Sequence, residues 1–419
     1  MRDSLYTERM NIMCQNVNLS DLLVLDVLRD DPVLSFLAAP EDEPTAKKYC
    51  ISALIAAAET HGLSGNLLPR YLLHVLTSRA NLVSETMERT DLPPGTSLRD
   101  VFYHDIRLLY PLLTAPTSIF LGETLLDNYE PTRNIYGKTE DFLLPGVAGA
   151  SSPEEYAEIL LAFYAKYGYG DLAAYAAFCW DIAENTLRGI IDFERPRMSD
   201  LVGYERQKEQ LIHNTRSFVE GKPSNHVLLV GARGTGKSTA VKALAGMYDD
   251  MGLRLLQVTK DQLWLLPDIM AQLRRFASKK FIIFLDDLSF EDSDAEFKTV
   301  KSAIEGGVSS CPPNVRLYAT SNRRHLVRET WRDRQQDELY RDDAMHETIS
   351  LADRFGLIIQ YHTPDQEEYL AIIDYLLRQK GIALTKEELH LAGLRWELTH
   401  SGRSGRTAQQ FVAHYLGTH

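Results

Sequence analysis

Residues 226–244 read HVLLVGARGTGKSTAVKAL, which places an apolar run, a glycine-rich segment and a Lys-Ser-Thr sequence in one short span. From Gly231 to Ser238 the residues satisfy the pattern G-x-x-x-x-G-K-[ST], between a predicted strand and a predicted helix. Glycines allow backbone N–H groups to approach phosphate oxygens, and the N-terminus of the following helix adds its positive dipole end. A glycine turn alone would not require a lysine and a hydroxyl at these two positions. The stretch therefore predicts a site for a nucleoside triphosphate and its metal ion.

The polar side chains of this loop have predicted roles. Lys237 is predicted to hold the β and γ phosphates, and Ser238 is predicted to ligate Mg²⁺. The residues predicted to contact the nucleotide phosphates are Gly231, Ala232, Arg233, Gly234, Thr235, Gly236, Lys237, Ser238 and Thr239.

A second candidate segment, KKFIIFLDDLSFED at residues 279–292, contains an apolar run that ends in two aspartates. In an open parallel sheet the carboxyl ends of the strands border the ligand crevice, so these carboxylates are expected to face the phosphates. Asp286 is the predicted Mg²⁺ ligand, and Asp287 is the predicted residue that orients or deprotonates the attacking water. Glu291 is an alternative for that second role. A pair of aspartates that caps a helix is the alternative interpretation of the segment.

A third predicted strand ends in a polar amide. The segment VRLYATSNRRH at residues 315–325 passes from apolar residues to Thr320, Ser321 and Asn322. Asn322 is predicted to contact both the γ phosphate and the attacking water, and a turn stabilised by the asparagine is the alternative.

The composition is typical of a globular protein. Of the 419 residues, 44% are hydrophobic and 25% are charged, and the net charge is −13. This acidic balance argues against a surface that coats nucleic acid along the whole chain. The four cysteines show no C-x-x-C spacing, which predicts neither a zinc site nor a disulfide framework. The sequence also shows no signal peptide and no membrane-spanning run, so we expect a cytoplasmic protein without a membrane partner.

The first part of the chain is predicted to be helical. Up to about residue 144 the apolar residues lie three and four positions apart, and residues 1–195 are assigned to a mostly α-helical N-terminal domain. Near its end, one face of a predicted helix carries Tyr175, Phe178, Cys179 and Ile182, where aromatic side chains most often pack in a core.

The remainder is predicted to be an α/β domain with a helical lid. Short apolar runs that alternate with helical patterns predict a five-stranded parallel sheet in residues 196–363. Amphipathic helices without strands follow Pro364 and predict a C-terminal lid over residues 364–419. The predicted strands span residues 226–230, 253–258, 281–285, 315–319 and 357–361.

The order of these motifs resembles that of the AAA+ P-loop ATPases, in which a Walker A loop, an acidic Walker B strand and a sensor-1 asparagine follow one another. Residues 231–238, 286–287 and 322 match this pattern position by position. From near residue 166 to the C-terminus, the chain resembles one bacterial AAA+ family, known as domain of unknown function 815. The resemblance implies that ATP is the nucleotide and that the protein forms a homo-oligomer with its site at the subunit boundary.

The resemblance also implies roles for two late arginine segments. LADRFGLII at residues 351–359 is similar to the arginine-finger segment, so Arg354 is expected to reach the site of a neighbouring subunit; an intramolecular ion pair with an acid is the alternative. SGRSGRTAQQF at residues 401–411 is similar to the sensor-2 segment, for which Arg406 fits best and Arg403 second. A solvated pair of arginines is the alternative there.

Two further features come from the same resemblance. LVGYERQKEQL at residues 201–211 is similar to the segment that lines the adenine pocket, which makes Val202, Gly203 and Tyr204 candidate contacts of the base. The second Walker B acid is usually glutamate and is Asp287 here, which leaves the efficiency of hydrolysis open.

The predicted function is that of an AAA+ ATPase that binds Mg-ATP, hydrolyses it to ADP and phosphate, and remodels or moves an unknown protein partner. A nucleotide-gated binding module with slow hydrolysis and a P-loop kinase are the alternatives. The first 150 residues are the expected partner adaptor. A nucleic-acid partner stays open because of an arginine-rich stretch, although acids interrupt it. This stretch contains Arg323, Arg324, Arg328, Arg332 and Arg334.

Overall fold

The computed structural model describes residues 19–37, 44–134, 138–288, 294–305, 311–322, 354–400 and 402–418. The chain divides into two compact units, Met1–Tyr175 with Phe276–Ser278 and Ala176–Arg275 with Lys279–His419. None of the helices in the described ranges has the length and the apolar character that crossing a bilayer requires.

The first unit is built from helices, which confirms the predicted helical N-terminal region. Its core contains Leu72, Phe102 and Leu160, which are fully buried. The helix that follows the small-residue segment at 145–152 begins where a capping residue predicts it, because the Ser152 Oγ accepts a hydrogen bond from the Glu155 N–H at 3.1 Å. The α-helices are α1 (Pro32–Leu37), α2 (Pro44–His61), α3 (Leu67–Ser78), α4 (Leu82–Thr90), α5 (Thr96–Thr114), α6 (Thr117–Leu121), α7 (Leu144–Gly149), α8 (Pro153–Tyr167) and α9 (Gly170–Ala174). Shorter helical turns span Leu19–Asp21, Asp26–Leu28, Thr124–Asp127 and Thr139–Leu143.

The second unit is organised around one sheet, in which the described strands number seven. These strands are β1 (Ala177–Asp181), β2 (Thr186–Gly189), β3 (Val227–Gly231), β4 (Leu253–Val258), β5 (Lys280–Leu285), β6 (Val315–Ser321) and β7 (Leu357–Tyr361). Their order across the sheet is β2-β1-β4-β5-β6-β3-β7. The β1–β2 pair is antiparallel and the other described pairs are parallel. The predicted parallel sheet is therefore present.

Helices connect the strands and cover the sheet. Leu211 and Leu244, from two of these helices, pack in one core with Leu229 of β3 and Leu255 of β4. The helices are α10 (Glu205–Val219), α11 (Lys237–Met247), α12 (Leu266–Leu273) and α13 (Asp294–Glu305), with shorter turns at Met198–Asp200, Asp249–Met251 and Lys260–Leu265.

A helical lid follows the last strand, as predicted for the residues beyond Pro364. It comprises α14 (Gln366–Gln379), α15 (Lys386–Thr399) and α16 (Gly405–Thr418). Buried Ile373 and Phe411 join α14 and α16 in a small core of their own. The Asp365 side chain accepts a hydrogen bond from the Glu368 N–H, which fixes the start of α14.

The structure corrects the sequence analysis at one edge of the sheet, where the strands number seven and not five. The predicted helical face with Tyr175, Phe178, Cys179 and Ile182 was wrong, because residues 177–189 form the β1–β2 hairpin. These four residues are spaced three and four positions apart, as on one face of a helix, whereas the pairing of β1 with β4 joins residues distant in sequence. The turn is stabilised by Asp181, whose Oδ1 accepts a hydrogen bond from the Ala183 N–H at 3.0 Å. Both strands precede residue 195, where the sequence analysis placed a domain boundary.

Candidate functional site

The candidate site lies at the carboxyl ends of three adjacent strands. Strand β6 pairs with β3 through Val230 and Ser321, and with β5 through Leu285 and Ala319. The pairs are parallel, so the residues that follow these strands meet at the same edge of the sheet. This register brings together the glycine-rich loop, the two aspartates and Asn322.

The glycine-rich loop adopts a backbone that side chains would disturb. Gly231 has φ +148°, and a Cβ there would lie 2.0 Å from the Tyr361 carbonyl oxygen. Thr235 is buried, and its Oγ1 donates a hydrogen bond to the Ala232 carbonyl at 2.9 Å. Helix α11 starts immediately after the loop, at Lys237. The backbone N–H groups of a loop in this position form a concave site for an anion.

The Lys237 side chain lies within the loop and is only 5% exposed. Its Nζ donates hydrogen bonds to the carbonyl oxygens of Gly231 and Ala232, both at 2.8 Å, and to the Asn322 Oδ1 at 3.1 Å. Burial lowers the pKa of Lys237 to about 8, although Asp287 and Asp286 act in the opposite direction. The ammonium group is thus buried among neutral oxygens, and an anion that reached it would stabilise its charge.

Ser238 and Asp286 are in direct contact. The Ser238 Oγ donates a hydrogen bond to the Asp286 Oδ1 at 2.6 Å, and the Thr320 Oγ1 donates to the same oxygen at 2.6 Å. Hydroxyl and carboxylate oxygens are ligands that suit Mg²⁺, which usually binds one or two protein carboxylates together with substrate phosphates. The described residues contain no cluster of three or more His, Cys, Asp or Glu that could hold a metal ion. The donor set therefore fits a metal ion that a phosphate helps to hold.

Asp287 is held in an unusual backbone conformation beside the loop. Its φ is +55°, and its N–H donates a hydrogen bond to the Thr320 Oγ1 at 2.8 Å. The Asp287 carboxylate accepts a hydrogen bond from the Asn322 Nδ2 and lies 3.8 Å from the Arg233 guanidinium. The side chain is 54% exposed, so it can reach solvent at the mouth of the site.

The segment predicted to line a base pocket packs against the loop. Leu201 lies close to the loop, because a Cβ at Gly236 would be 2.4 Å from its Cδ2. Val202 packs against the lid core, and Tyr204 donates a hydrogen bond from its hydroxyl to the His362 carbonyl at 2.8 Å. Gly203 and Tyr204 both have left-handed backbone conformations, with φ of +79° and +61°. The segment therefore lies between the loop and the lid.

The start of α16 contacts the glycine-rich loop. The Gly405 N–H donates a hydrogen bond to the Gly234 carbonyl at 2.8 Å, and a Cβ at Gly234 would lie 2.9 Å from the Ser404 Oγ. Arg406 is exposed and adjoins this contact, whereas the Arg403 Nε donates a hydrogen bond to the Glu397 Oε1 at 2.9 Å. The structure thus brings Arg406 next to the loop and pairs Arg403 within the lid.

Arg354 is not part of this constellation. It lies three residues before β7, and the β3–β7 register pairs Leu357 with Val227 and Tyr361 with Gly231. At about 3.3 Å per residue, four steps separate the start of β7 from the loop by roughly 13 Å. Arg354 therefore lies near the amino-terminal ends of the strands, whereas the loop of its own chain lies at their carboxyl ends. Glu291 and the arginine-rich stretch at residues 323–334 lie outside the described residues.

Two residues that contact predicted site residues, Thr320 and Ser404, were not predicted from the sequence. Thr320 was read only as part of the polar end of a strand. The contact of Thr320 with the aspartates depends on the register of β5 and β6, which places the residue after Ala319 beside the residue after Leu285 and which no local pattern in the sequence indicates. The Ser404 contact had no signal in the sequence, because it joins the lid to the loop.

Comparisons with known proteins give one family and several structural neighbours. A family model described as "Protein of unknown function (DUF815)" matches residues 173–419. The Thermotoga maritima RuvB Holliday junction branch migration motor has 17% identity and a TM-score of 0.37, with 53% of this chain and 65% of the RuvB chain covered. The FIGL-1 AAA domain in complex with ADP has 17% identity and a TM-score of 0.37, with 52% of this chain and 71% of the FIGL-1 chain covered. This chain thus spans less than two thirds of the RuvB structure. No curated protein matches the sequence.

The family match agrees with the family resemblance found in the sequence. The glycine-rich loop follows β3, the two aspartates follow β5 and Asn322 follows β6, and the sheet has two more strands than the sequence predicted. The family match covers more than half of the chain, from before β1 to the end of the lid. The protein therefore belongs to the DUF815 family.

Proposed function

We propose that this protein is an ATPase that binds Mg-ATP at the glycine-rich loop and hydrolyses it to ADP and phosphate. The observation that carries the proposal is the contact between Ser238 and Asp286, 2.6 Å apart, beside the buried ammonium of Lys237. A positive charge, a row of backbone N–H groups and a hydroxyl–carboxylate pair are the parts that a triphosphate with its metal requires.

The phosphates would be held mainly by the loop and by Lys237. Residues 231–239 supply backbone N–H groups at the start of α11, where the helix dipole favours negative charge. Lys237 would exchange its hydrogen bonds with two loop carbonyls for bonds to phosphate oxygens, which are charged and form stronger bonds.

Ser238 and Asp286 are the proposed ligands of Mg²⁺. Magnesium, when bound, neutralises charge on the phosphates and favours their transfer. The two side chains already share a hydrogen bond, so little movement would be needed to present both oxygens to one ion.

Asp287 and Asn322 are the proposed residues at the attacking water. Asp287 would accept a hydrogen bond or a proton from the water, and the Asn322 amide, which contacts Asp287, would orient both. The Arg233 guanidinium lies 3.8 Å from the same carboxylate, at the mouth of the site.

The remaining candidates act from outside the loop. Val202, Gly203 and Tyr204 are proposed to contact the adenine base, and Arg406 the γ phosphate. Arg354 is proposed to act on a neighbouring subunit in a homo-oligomer. It lies near the amino-terminal ends of the strands, away from its own loop. This position supports the proposal, because a second copy can present Arg354 to the site.

We propose that the protein acts on a protein partner. The helical residues before β1 are the proposed adaptor for a protein partner, which hydrolysis would move or remodel in the cytoplasm. A nucleotide-gated binding module with slow hydrolysis is the second candidate. It is favoured by Asp287, whose carboxylate is already engaged by Asn322 and Arg233 and is shorter than the usual glutamate.

Calorimetry with Mg-ATP and a phosphate-release assay without any added acceptor test the proposal. Wild-type protein should bind Mg-ATP and release phosphate, and Lys237→Ala should abolish binding because it removes the buried charge. Lys222→Ala is the matched control, since Lys222 is an exposed lysine paired with Glu220, and it should bind as wild type does. Absence of wild-type binding contradicts the proposal, and binding with turnover well below that of working motors favours the second candidate.

Affinity capture with Asp287→Asn tests whether the protein has a protein partner. This variant should retain ATP and slow its hydrolysis, so affinity capture in the presence of ATP should enrich a protein that the wild-type chain releases. The same capture with Lys237→Ala is the control, because that variant should not hold nucleotide.

A further inference from the structure

Thr320 lies at the centre of the candidate site although it is not one of its predicted residues. It is the sixth residue of β6, and β6 lies between β5 and β3 in the sheet. Its side chain is 2% exposed. A β-branched residue has few side-chain conformations in a strand, so the direction of its hydroxyl is largely fixed by the backbone.

The Thr320 hydroxyl contacts both Walker B acids. It donates a hydrogen bond to the Asp286 Oδ1 at 2.6 Å and accepts one from the Asp287 N–H at 2.8 Å. The two directions are determined, because a backbone N–H can only donate and the single hydroxyl proton is then directed at the carboxylate. The Thr320 carbonyl also accepts a hydrogen bond from the Leu288 N–H at 2.8 Å. Three consecutive residues after β5 are thus attached to one threonine.

We propose that Thr320 is a positioning residue that orients Asp286 as a magnesium ligand and holds Asp287 in its left-handed conformation. The inference rests on the proposed function and adds a residue to it. Ser238 and Thr320 donate to the same oxygen of Asp286, so Thr320 maintains the direction of that carboxylate even when Ser238 changes partner. Hydrogen bonds to the ligands of a metal orient those ligands and are a measurable part of metal affinity.

The same hydroxyl links the metal ligand to the proposed base. Asp287 has φ +55°, which residues other than glycine rarely adopt, and the hydrogen bond from its N–H to Thr320 stabilises this conformation. The Asp287 side chain then reaches the amide of Asn322, which lies two residues after Thr320. A change at position 320 should therefore alter both Mg²⁺ dependence and turnover.

The test compares Thr320→Val with Thr320→Ser. Valine has nearly the same shape but lacks the hydroxyl, and serine keeps the hydroxyl and loses a methyl group. Calorimetry gives the dissociation constant of ATP with Mg²⁺ and with EDTA, and their ratio measures how much Mg²⁺ strengthens binding. Thr320→Val should reduce this ratio about 10-fold or more while its affinity in EDTA stays that of wild type, because the lost partner belongs to a metal ligand. Thr320→Ser should have a ratio close to that of the wild type, because serine keeps the hydroxyl.

Turnover is the second readout, with thermal unfolding as the check of folding. Thr320→Val should lower kcat more than it raises KM for ATP, and raise the Mg²⁺ concentration that gives half-maximal rate. A Thr320→Val protein with a wild-type ratio and a wild-type kcat overturns the inference. If both variants lose the same amount of ATP affinity in EDTA as in Mg²⁺, the inference is also overturned, because such losses indicate a role in packing alone. Wild-type protein without Mg-ATP binding would instead refute the proposed function, and the inference with it.

Discussion

Lys237 is a buried cation whose hydrogen-bond partners are neutral oxygens. Its Nζ contacts two main-chain carbonyls and the Asn322 amide oxygen, and burial lowers its pKa to about 8. Phosphate oxygens placed beside it would favour the charged form and raise the pKa again. Binding of a triphosphate should therefore be linked to protonation of this one side chain.

The affinity for ATP should fall as the pH rises above about 8. Below that pH the free protein already carries the charged lysine; above it, the free protein has lost a proton that the complex must take up. Calorimetry at pH 8.5 in two buffers of different ionisation enthalpy should show net proton uptake on binding.

The matched control is Lys237→Arg, whose guanidinium stays charged over this range. Its affinity should be weaker and independent of pH between 7.5 and 9. A wild-type affinity that is equally independent of pH would show that Lys237 is charged throughout and would contradict the prediction.

The residues at the strand ends were predictable because one local pattern identifies each of them. A strand followed by acids, or by a polar amide, can be read from the sequence, and a parallel sheet then requires that Asp286, Asp287 and Asn322 meet. Thr320 could not be assigned in this way, because its role depends on the register between two strands that are distant in sequence. The roles proposed for the predicted residues remain predictions.

At the scale of elements, the β1–β2 hairpin is where local sequence and tertiary structure disagree. Its residues have a helical apolar spacing, but β1 gains a parallel partner in β4 and buries Phe178. Pairing between distant segments overrides local propensity, and nothing in the local sequence reveals it. The strands β3 to β7 were predicted within about two residues because each is an apolar run bounded by polar or glycine residues.

Phe178→Ala should lower the free energy of unfolding of the second unit by about 3–5 kcal/mol, the usual cost of truncating a buried phenylalanine. The expected cause is a cavity at a side chain that is fully buried in β1. Urea unfolding followed by tryptophan fluorescence is a suitable measurement, since Trp180, Trp264 and Trp396 belong to this unit.

Ile182→Ala is the control, because Ile182 belongs to the turn of the same hairpin and is 53% exposed. It should change the free energy of unfolding by less than about 0.5 kcal/mol, as surface substitutions usually do. Similar small effects of both substitutions would show that β1 is not packed as described.

At the scale of the whole molecule, the position of Arg354 bears on assembly. The β3–β7 register places it near the amino-terminal ends of the strands, away from its own loop at their carboxyl ends. Its proposed action on phosphate therefore requires a second copy. Arg354→Ala should retain Mg-ATP binding and reduce turnover by up to about 10³-fold, as loss of an arginine finger does.

Mixing two inactive variants tests whether this arginine acts between subunits. Arg354→Ala has an intact loop and Lys237→Ala has an intact Arg354, so mixed oligomers should recover part of the phosphate release. Mixing either variant with the double variant is the control. No recovery, in oligomers shown by sedimentation to have exchanged subunits, would contradict action between subunits.

The β1–β2 hairpin also affects how the nucleotide-binding unit can be isolated. Strand β4 is buried along nearly its whole length, and β1 satisfies the hydrogen bonds on one of its sides. A fragment that began at residue 196 would lack the hairpin and leave that side of β4 as a bare edge, a template on which other chains could add strands and aggregate. The shortest well-behaved fragment should therefore begin ahead of Ala177, and failure of a shorter one to stay in solution would reflect the missing hairpin and not a defect of the ATP site.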